Sequence, residues 1–271
     1  MKELIRNHFG GNDIAVFLER DGECVKSVLK VATTKEGIET IRREKQGWDW
    51  YLSRSNQQLQ IVNRYLYEPE KCYAKIELKY IDGAKGKYWR GVRKNYGILQ
   101  STVEHYLKVW QNEDVENCSM HGDLSVDNII IRNGQVVIVD WEHFNKNVGQ
   151  WGFDALYLIF ETLWFDAKKH GLPRQAELLA VANLIKTLNR DNNLSSLQLE
   201  QPLSWTKKFI LENRKLWGKE VESSFTKFPV VSFTDEQALY IDKKLAELLS
   251  GRELCIGRVR PIETELFTAS S

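Results

Sequence analysis

A chain of 271 residues with 42% hydrophobic and 28% charged residues carries enough apolar material for a sizeable core, and its composition excludes a disordered or collagen-like polymer. The formal net charge of +1 excludes a strongly basic nucleic-acid surface by overall balance, so no nucleic-acid partner is expected. Cys24, Cys72, Cys118 and Cys255 lie far apart without C-x-x-C or Cys/His spacing, which excludes a zinc site or disulfide framework and points to a reducing, cytoplasmic setting.

Taken in order, Met1–Arg6 lacks the apolar core of a signal peptide. Phe9-Gly10-Gly11-Asn12-Asp13 then reads as a glycine-bearing loop. Ala15–Leu18 and Cys24–Ala32 flank Asp21-Gly22-Glu23 and predict a β-hairpin. Ile38, Ile41, Trp48, Tyr51 and Leu52 recur at helical spacing from Lys35 to about Ser53, with Gly47 a weak point in the pattern. Two β-prone runs follow, Leu59–Tyr67 and Cys72–Ile81, closed by Asp82-Gly83. The first third therefore reads β-β-α-β-β. Beyond Gly83, Val92, Tyr96, Leu99, Val103, Tyr106, Leu107 and Trp110 form a helical stripe. Further helices are predicted around residues 154–168, 174–189, 205–217 and 235–249. The most apolar stretch, Ala155–Phe165, is short and broken by Glu161, so no membrane span is expected.

Between the first helix of this second part and the others lies a short β-rich island. Asn128–Arg132 and Gln135–Asp140 are joined by Asn133-Gly134, the strongest short hairpin signal in the chain. Just before it, His121-Gly122-Asp123-Leu124-Ser125-Val126-Asp127-Asn128 fits the pattern H-x-D-L-x-x-x-N, and Asp140 ends the second strand. Each of Asp123, Asn128 and Asp140 alone is more often a turn, cap or solvated strand-end residue. Together, on a tight loop and a hairpin, they offer a carboxylate for an acceptor hydroxyl and hard oxygen ligands for Mg²⁺, which is what phosphoryl transfer requires.

His121-Gly122-Asp123 with Asn128, followed by Val139-Asp140-Trp141-Glu142, resembles the family of aminoglycoside phosphotransferases, choline and ethanolamine kinases and related sugar kinases. The resemblance implies an α+β, bilobal, protein-kinase-like fold. Its small β-rich N-lobe would span residues 1–82 and its larger, mainly helical C-lobe residues 83–271. It further implies Asp123 as catalytic base and Asn128 and Asp140 as Mg²⁺ ligands, with ATP or GTP as the nucleotide. Lys30 matches the phosphate-contacting lysine and Glu44 its ion-pair partner, with Lys26 and Glu39 as nearby rivals. Gly10 and Gly11 fall where the phosphate-covering loop belongs, although the full G-x-G-x-x-G is missing. The Ile76–Gly83 run, with Tyr80, resembles the segment that meets the purine. Asp154 matches an aspartate that braces the catalytic loop, a plain helix cap being the competing role.

Gly122 stands in place of the arginine of H-R-D, Trp141-Glu142 in place of the Phe-Gly of D-F-G, and no A-P-E follows. The segment that would order a peptide acceptor is absent, which disfavours a protein kinase and favours a small-molecule acceptor such as a sugar, amino sugar or amino alcohol. A catalytically silent nucleotide-binding module and an aminoglycoside-modifying enzyme are the alternatives. From Phe144 onward about seventeen basic residues face about sixteen acidic ones, without the acidic excess that a polycation site would call for. Trp151, Trp164, Trp205, Trp217 and Tyr240 are candidates to stack on an acceptor, though core packing is the commoner fate of such residues.

Overall fold

The computed structural model describes residues 1–7, 14–57, 59–217 and 228–251. The predicted loop glycines Gly10 and Gly11 lie outside these residues, as does Cys255. The fold is α+β in two lobes. The first lobe is a five-stranded antiparallel sheet in the order β1-β2-β3-β5-β4, built from Lys2–Asn7, Ile14–Asp21, Cys24–Ala32, Val62–Glu68 and Tyr73–Lys79 as β1 to β5. The β2–β3 hairpin turns where Asp21 pairs with Cys24, and Gly22 there has φ +60, a conformation that only glycine adopts without cost. Helix α1, Lys35–Arg54, connects β3 to β4 in the chain and packs against β3, β5 and β4 of the sheet. Its N-cap Thr34 accepts the Gly37 N–H at 3.2 Å.

Two expectations are corrected here. The lobe opens with an additional strand, so its order is β-β-β-α-β-β. That strand, β1, is an edge strand with exposed side chains from Lys2 to Ile5 and no apolar alternation, hence no sequence signal; it pairs with β2 and Lys2 binds Glu19. Nor is Gly47 a weak point. A Cβ at this position would lie 2.6 Å from the Cβ of Trp141, so the missing side chain lets α1 lie directly against the turn that follows Asp140. Trp141, fully buried, fills that contact among Trp48, Trp50, Tyr51 and Trp110.

The second lobe begins with β6, Ala84–Lys85, which pairs with β8 rather than with the first sheet. Helix α2, Gly91–Val109, leads to β7, Cys118–Met120. Strands β8, Ile129–Arg132, and β9, Gln135–Ile138, form the expected hairpin. Asn133 and Gly134 have φ +50 and +74, the two positive angles of a type I′ turn. Strand β10, Asn145–Gly149, pairs with β7. Helices α3 (Phe153–His170), α4 (Gln175–Leu188), α5 (Ser196–Glu200), α6 (Pro202–Glu212) and α7 (Asp235–Leu249) complete the described part. The predicted helix over 205–217 begins three residues earlier and stops at Glu212, giving way to a 3₁₀ turn at Arg214–Trp217. Proline at its first position explains the earlier start. Among the described residues no helix is long and apolar enough to cross a membrane.

Candidate active site

The two lobes meet at a cleft of about 320 Å³. Val16 and Val28 wall it from the sheet and Ile130 and Val139 from the hairpin; Lys79, Tyr80 and Ile81 close it at the crossing between lobes. Tyr80 keeps its backbone N–H on the Lys26 carbonyl at 2.9 Å, while its side chain is 39% exposed.

Lys30 stands on β3 opposite Ile76 of β5 and projects into this cleft. Its ammonium lies 2.6 Å from Glu44 on α1, 2.5 Å from Asp140 after β9, and 3.8 Å from Glu142. Burial works against the charge of Lys30, but Asp140, Glu44 and Glu142 outweigh it and hold the lysine firmly protonated. Burial likewise lifts the Glu44 carboxyl, to about 7, with Lys30 resisting the rise. Partial burial pushes Asp140 upward too. Lys30 more than offsets this, and the Asp140 carboxyl is held down at about 2. The rivals are engaged elsewhere: Lys26 is exposed and binds Asp21 at 2.6 Å, and Glu39 binds Arg42 along the helix surface.

Asp140 has φ +64 and ψ +60, a left-handed conformation that costs a non-glycine residue about a kcal/mol or more. The strained turn re-aims the chain so that the Asp140 carboxylate enters the cleft while the next side chain, Trp141, enters the core. Glu142 and His143 follow on the same turn and line the cleft. Sequence reasoning noted Glu142 only as a departure from D-F-G; its approach to Lys30 becomes visible once the turn is formed.

The loop from His121 to Asn128 is held mainly through its backbone. Asp154, at the start of α3 and 1% exposed, accepts the N–H groups of His121 at 2.7 Å and Gly122 at 2.9 Å. Asp154 thus braces the loop, and the helix-cap role is not the one observed. The Trp217 indole N–H donates to the Gly122 carbonyl at 2.6 Å. Gly122 itself has φ +85, and a Cβ there would lie 2.5 Å from the His143 carbonyl oxygen, so an arginine at this position would not fit. His121 is fully buried and accepts the Asp123 N–H on Nδ1, at 3.3 Å. Its Nε2 sits 3.0 Å from the Val139 carbonyl, which can only accept, so the ring is neutral with its proton on Nε2. Burial depresses its pKa to about 4, in agreement with that tautomer.

Asn128 lines the cleft beside Asp140 and donates from Nδ2 to the Asp123 carbonyl at 2.8 Å, which leaves its amide oxygen as the free acceptor. Asp123 is half-buried and does not line the cleft; its Oδ1 accepts the Tyr157 hydroxyl at 3.5 Å. Burial and the neighbouring carboxylates of Glu161, Asp140 and Glu142 raise its pKa well above the ordinary aspartate range. Tyr157 was not singled out from the sequence, and Glu161 was noted only as a break in the apolar stretch. They sit four residues apart on α3 inside an apolar run, and only the packing of that helix under the loop reveals their place.

Among the described residues no group of three or more His, Cys, Asp or Glu side chains is arranged as a metal cage. The pair formed by the Asp140 carboxylate and the Asn128 oxygen, open to a cleft, fits Mg²⁺, which takes few protein ligands and completes its shell with water and phosphate oxygens.

No protein-family model matches the chain, and no curated protein sequence matches it. Solved kinase structures show a similar course. A complex of amicoumacin kinase with AMP-PNP and Ca²⁺ is 11% identical over 92% of this chain and 88% of that one, with a TM-score of 0.49. The Cydia pomonella granulovirus kinase is 10% identical over 90% and 87%, with a TM-score of 0.38. A thermostable aminoglycoside phosphotransferase mutant with ADP and hygromycin B is 11% identical over 93% and 95%, with a TM-score of 0.42. At TM-scores below 0.5 these likenesses carry no functional weight, and the chain's own geometry has to supply the argument.

Of the candidate acceptor aromatics, Trp151, Trp205 and Trp217 are buried in the core. Trp164 is half-buried, and Tyr240 is 39% exposed on α7.

Proposed function

We propose that this chain is a small-molecule kinase of the aminoglycoside phosphotransferase and choline kinase type, moving the γ-phosphate of Mg²⁺-bound ATP or GTP to a hydroxyl of a sugar, amino sugar or amino alcohol. The observation that carries the reading is the meeting of Lys30, Glu44 and Asp140 in one interlobe cleft that Asn128 also lines. A buried lysine held between two carboxylates is an anion-binding charge kept in position, and a nucleotide phosphate is the natural competitor for it. The base would lie between the apolar walls of Val16, Val28 and Ile130, against the backbone of Lys79 to Ile81. Asp140 and Asn128 would hold Mg²⁺, whose charge would neutralise the phosphate oxygens.

Asp123 would orient the acceptor hydroxyl and take its proton. Its elevated pKa makes it a better proton acceptor than an exposed aspartate, provided the cations of the loaded site keep it ionised. Tyr157, donating to the carboxylate, fixes the direction of its lone pairs. The test is nucleotide turnover by the full chain against a panel of sugars, amino alcohols and aminoglycosides. Acceptor-dependent ADP or GDP release is expected, and it should vanish in Asp140→Ala while the melting temperature stays near that of the parent. Nucleotide binding without turnover on any acceptor would identify a silent module instead.

A further inference from the structure

A second cavity, about 680 Å³, lies outside the site just described, where the start of α2, the end of α3 and the start of α4 converge. Arg90, Arg93 and Lys94 enter it from the first, Lys169 from the second and Arg174 from the third. Two carboxylates, Asp166 and Glu177, share the cavity, so the permanent charges leave a surplus of three positive. Both acids are engaged with backbone. Asp166 accepts the Val92 N–H at 2.8 Å, in a space kept open by Gly91, where any Cβ would collide with it. Glu177 accepts the Arg174 N–H at 2.7 Å.

The start of α2 is therefore already neutralised by Asp166, and its dipole is not what the cations answer. Lys169 does cap the Trp89 carbonyl at 2.5 Å, and an Arg174 guanidinium nitrogen lies 3.0 Å from the His170 ring. Among the described residues none of the five cations forms an ion pair with a carboxylate. In a chain with 38 basic and 37 acidic residues, such a local surplus is not the residue of an overall excess. Five like charges gathered in a concave space repel one another and focus a positive potential, which a compact multivalent anion relieves. Trp89, 50% exposed on the rim, adds a flat ring that also meets the Lys87 ammonium, 5.6 Å from its centroid.

We propose that this cavity binds a small anion carrying two or more phosphate groups. The cations are confined to one cavity and do not run in a stripe, which fits a compact ligand rather than an extended nucleic acid. Neither the nucleotide cleft nor its function is needed for the argument. The test is calorimetric titration with inorganic tripolyphosphate in the absence of divalent cations, run on the full chain carrying Lys30→Met/Glu44→Leu, whose cleft has lost its anion-binding lysine.

Binding at a single site that weakens with salt is expected, and Arg93→Glu/Lys94→Glu should lower its affinity about tenfold or more while, with Lys30 and Glu44 in place, nucleotide binding in the cleft is retained. If the double reversal does not fold, Arg93→Gln/Lys94→Gln should give a smaller loss in the same direction. A nucleoside diphosphate that binds here more tightly than pyrophosphate, with the advantage lost in Trp89→Ala, would make the source an organic phosphate; equal binding would make it the free anion. Absence of tripolyphosphate binding, equal binding by both variants and the parent, or binding of duplex RNA or anionic vesicles alone would overturn the proposal.

Discussion

The two sides of the cleft are built in different ways. On the sheet side, Lys30 and Glu44 belong to a regular strand and a regular helix, and their side chains reach each other across 2.6 Å in a buried ion pair. On the loop side, Asp123 and Asn128 belong to a segment with little regular structure, and its shape is imposed by Asp154, Trp217 and the buried His121 through backbone hydrogen bonds. The first arrangement makes position depend on charge pairing. The second makes it depend on satisfied backbone groups, with Asp154 and Trp217 reaching the loop from 32 to 95 residues away. Substitutions should therefore uncouple stability from activity on the sheet side and couple them on the loop side.

The largest effect is expected at Lys30. Lys30→Met leaves Glu44 buried without its counter-ion and should cost about 3–5 kcal/mol, read from denaturant unfolding. Adding Glu44→Leu should recover most of that stability and none of the turnover. Recovery of turnover as well would show that the lysine is only structural.

Next comes Asp123→Asn, which keeps shape and loses charge. It should lower kcat by roughly a hundredfold or more with little change in nucleotide affinity, since general-base contributions run to about 10²–10⁴. If calorimetry showed nucleotide binding lost together with turnover, the assignment as base would fail.

Asp154→Ala strands two buried N–H groups and should cost about 2 kcal/mol or more in stability. Unlike the Lys30/Glu44 pair, it should also depress kcat, because the loop that carries Asp123 relaxes with it. A stable variant with unchanged kcat would break the contrast between the two sides.

The smallest effect is a pH dependence at His121. Its folded-state pKa, near 4, lies below the ordinary histidine value because of burial, so its neutral form supports folding. That contribution is complete above about pH 6.5 and lost as pH falls towards 4. The stability difference between the parent and His121→Gln should accordingly shrink across this window, and a constant difference would mean that the ring is not held neutral.

Much of the site was legible because it is written locally. The H-x-D-L-x-x-x-N spacing, the Asn-Gly hairpin and the acid at its end lie within twenty residues, and a two-residue turn with two positive φ angles fixes the register that separates Asn128 from Asp140. Lys30 could be distinguished from Lys26 only in part, since alternation alone would put both on one face of β3; the β2–β3 register shifts at Lys26. Burial under α1 decides between them. Strand β1 escaped notice because an exposed edge strand has no apolar period to read.

The sequence by itself determined the main helices, the two hairpins and the presence of Lys30, Glu44, Asn128 and Asp140 as the groups that line the cleft, since these follow from periodicity, turn chemistry and short spacing. Tertiary structure alone decided what holds those groups. Gly47 became a contact surface for Trp141, Trp217 a donor to the Gly122 carbonyl, and Glu161 a neighbour that raises Asp123. The cation-lined cavity, too, exists only because three helix ends converge. Proximity between residues far apart in the chain is set by how apolar faces pack, and no local pattern encodes which distant partner a given face will meet.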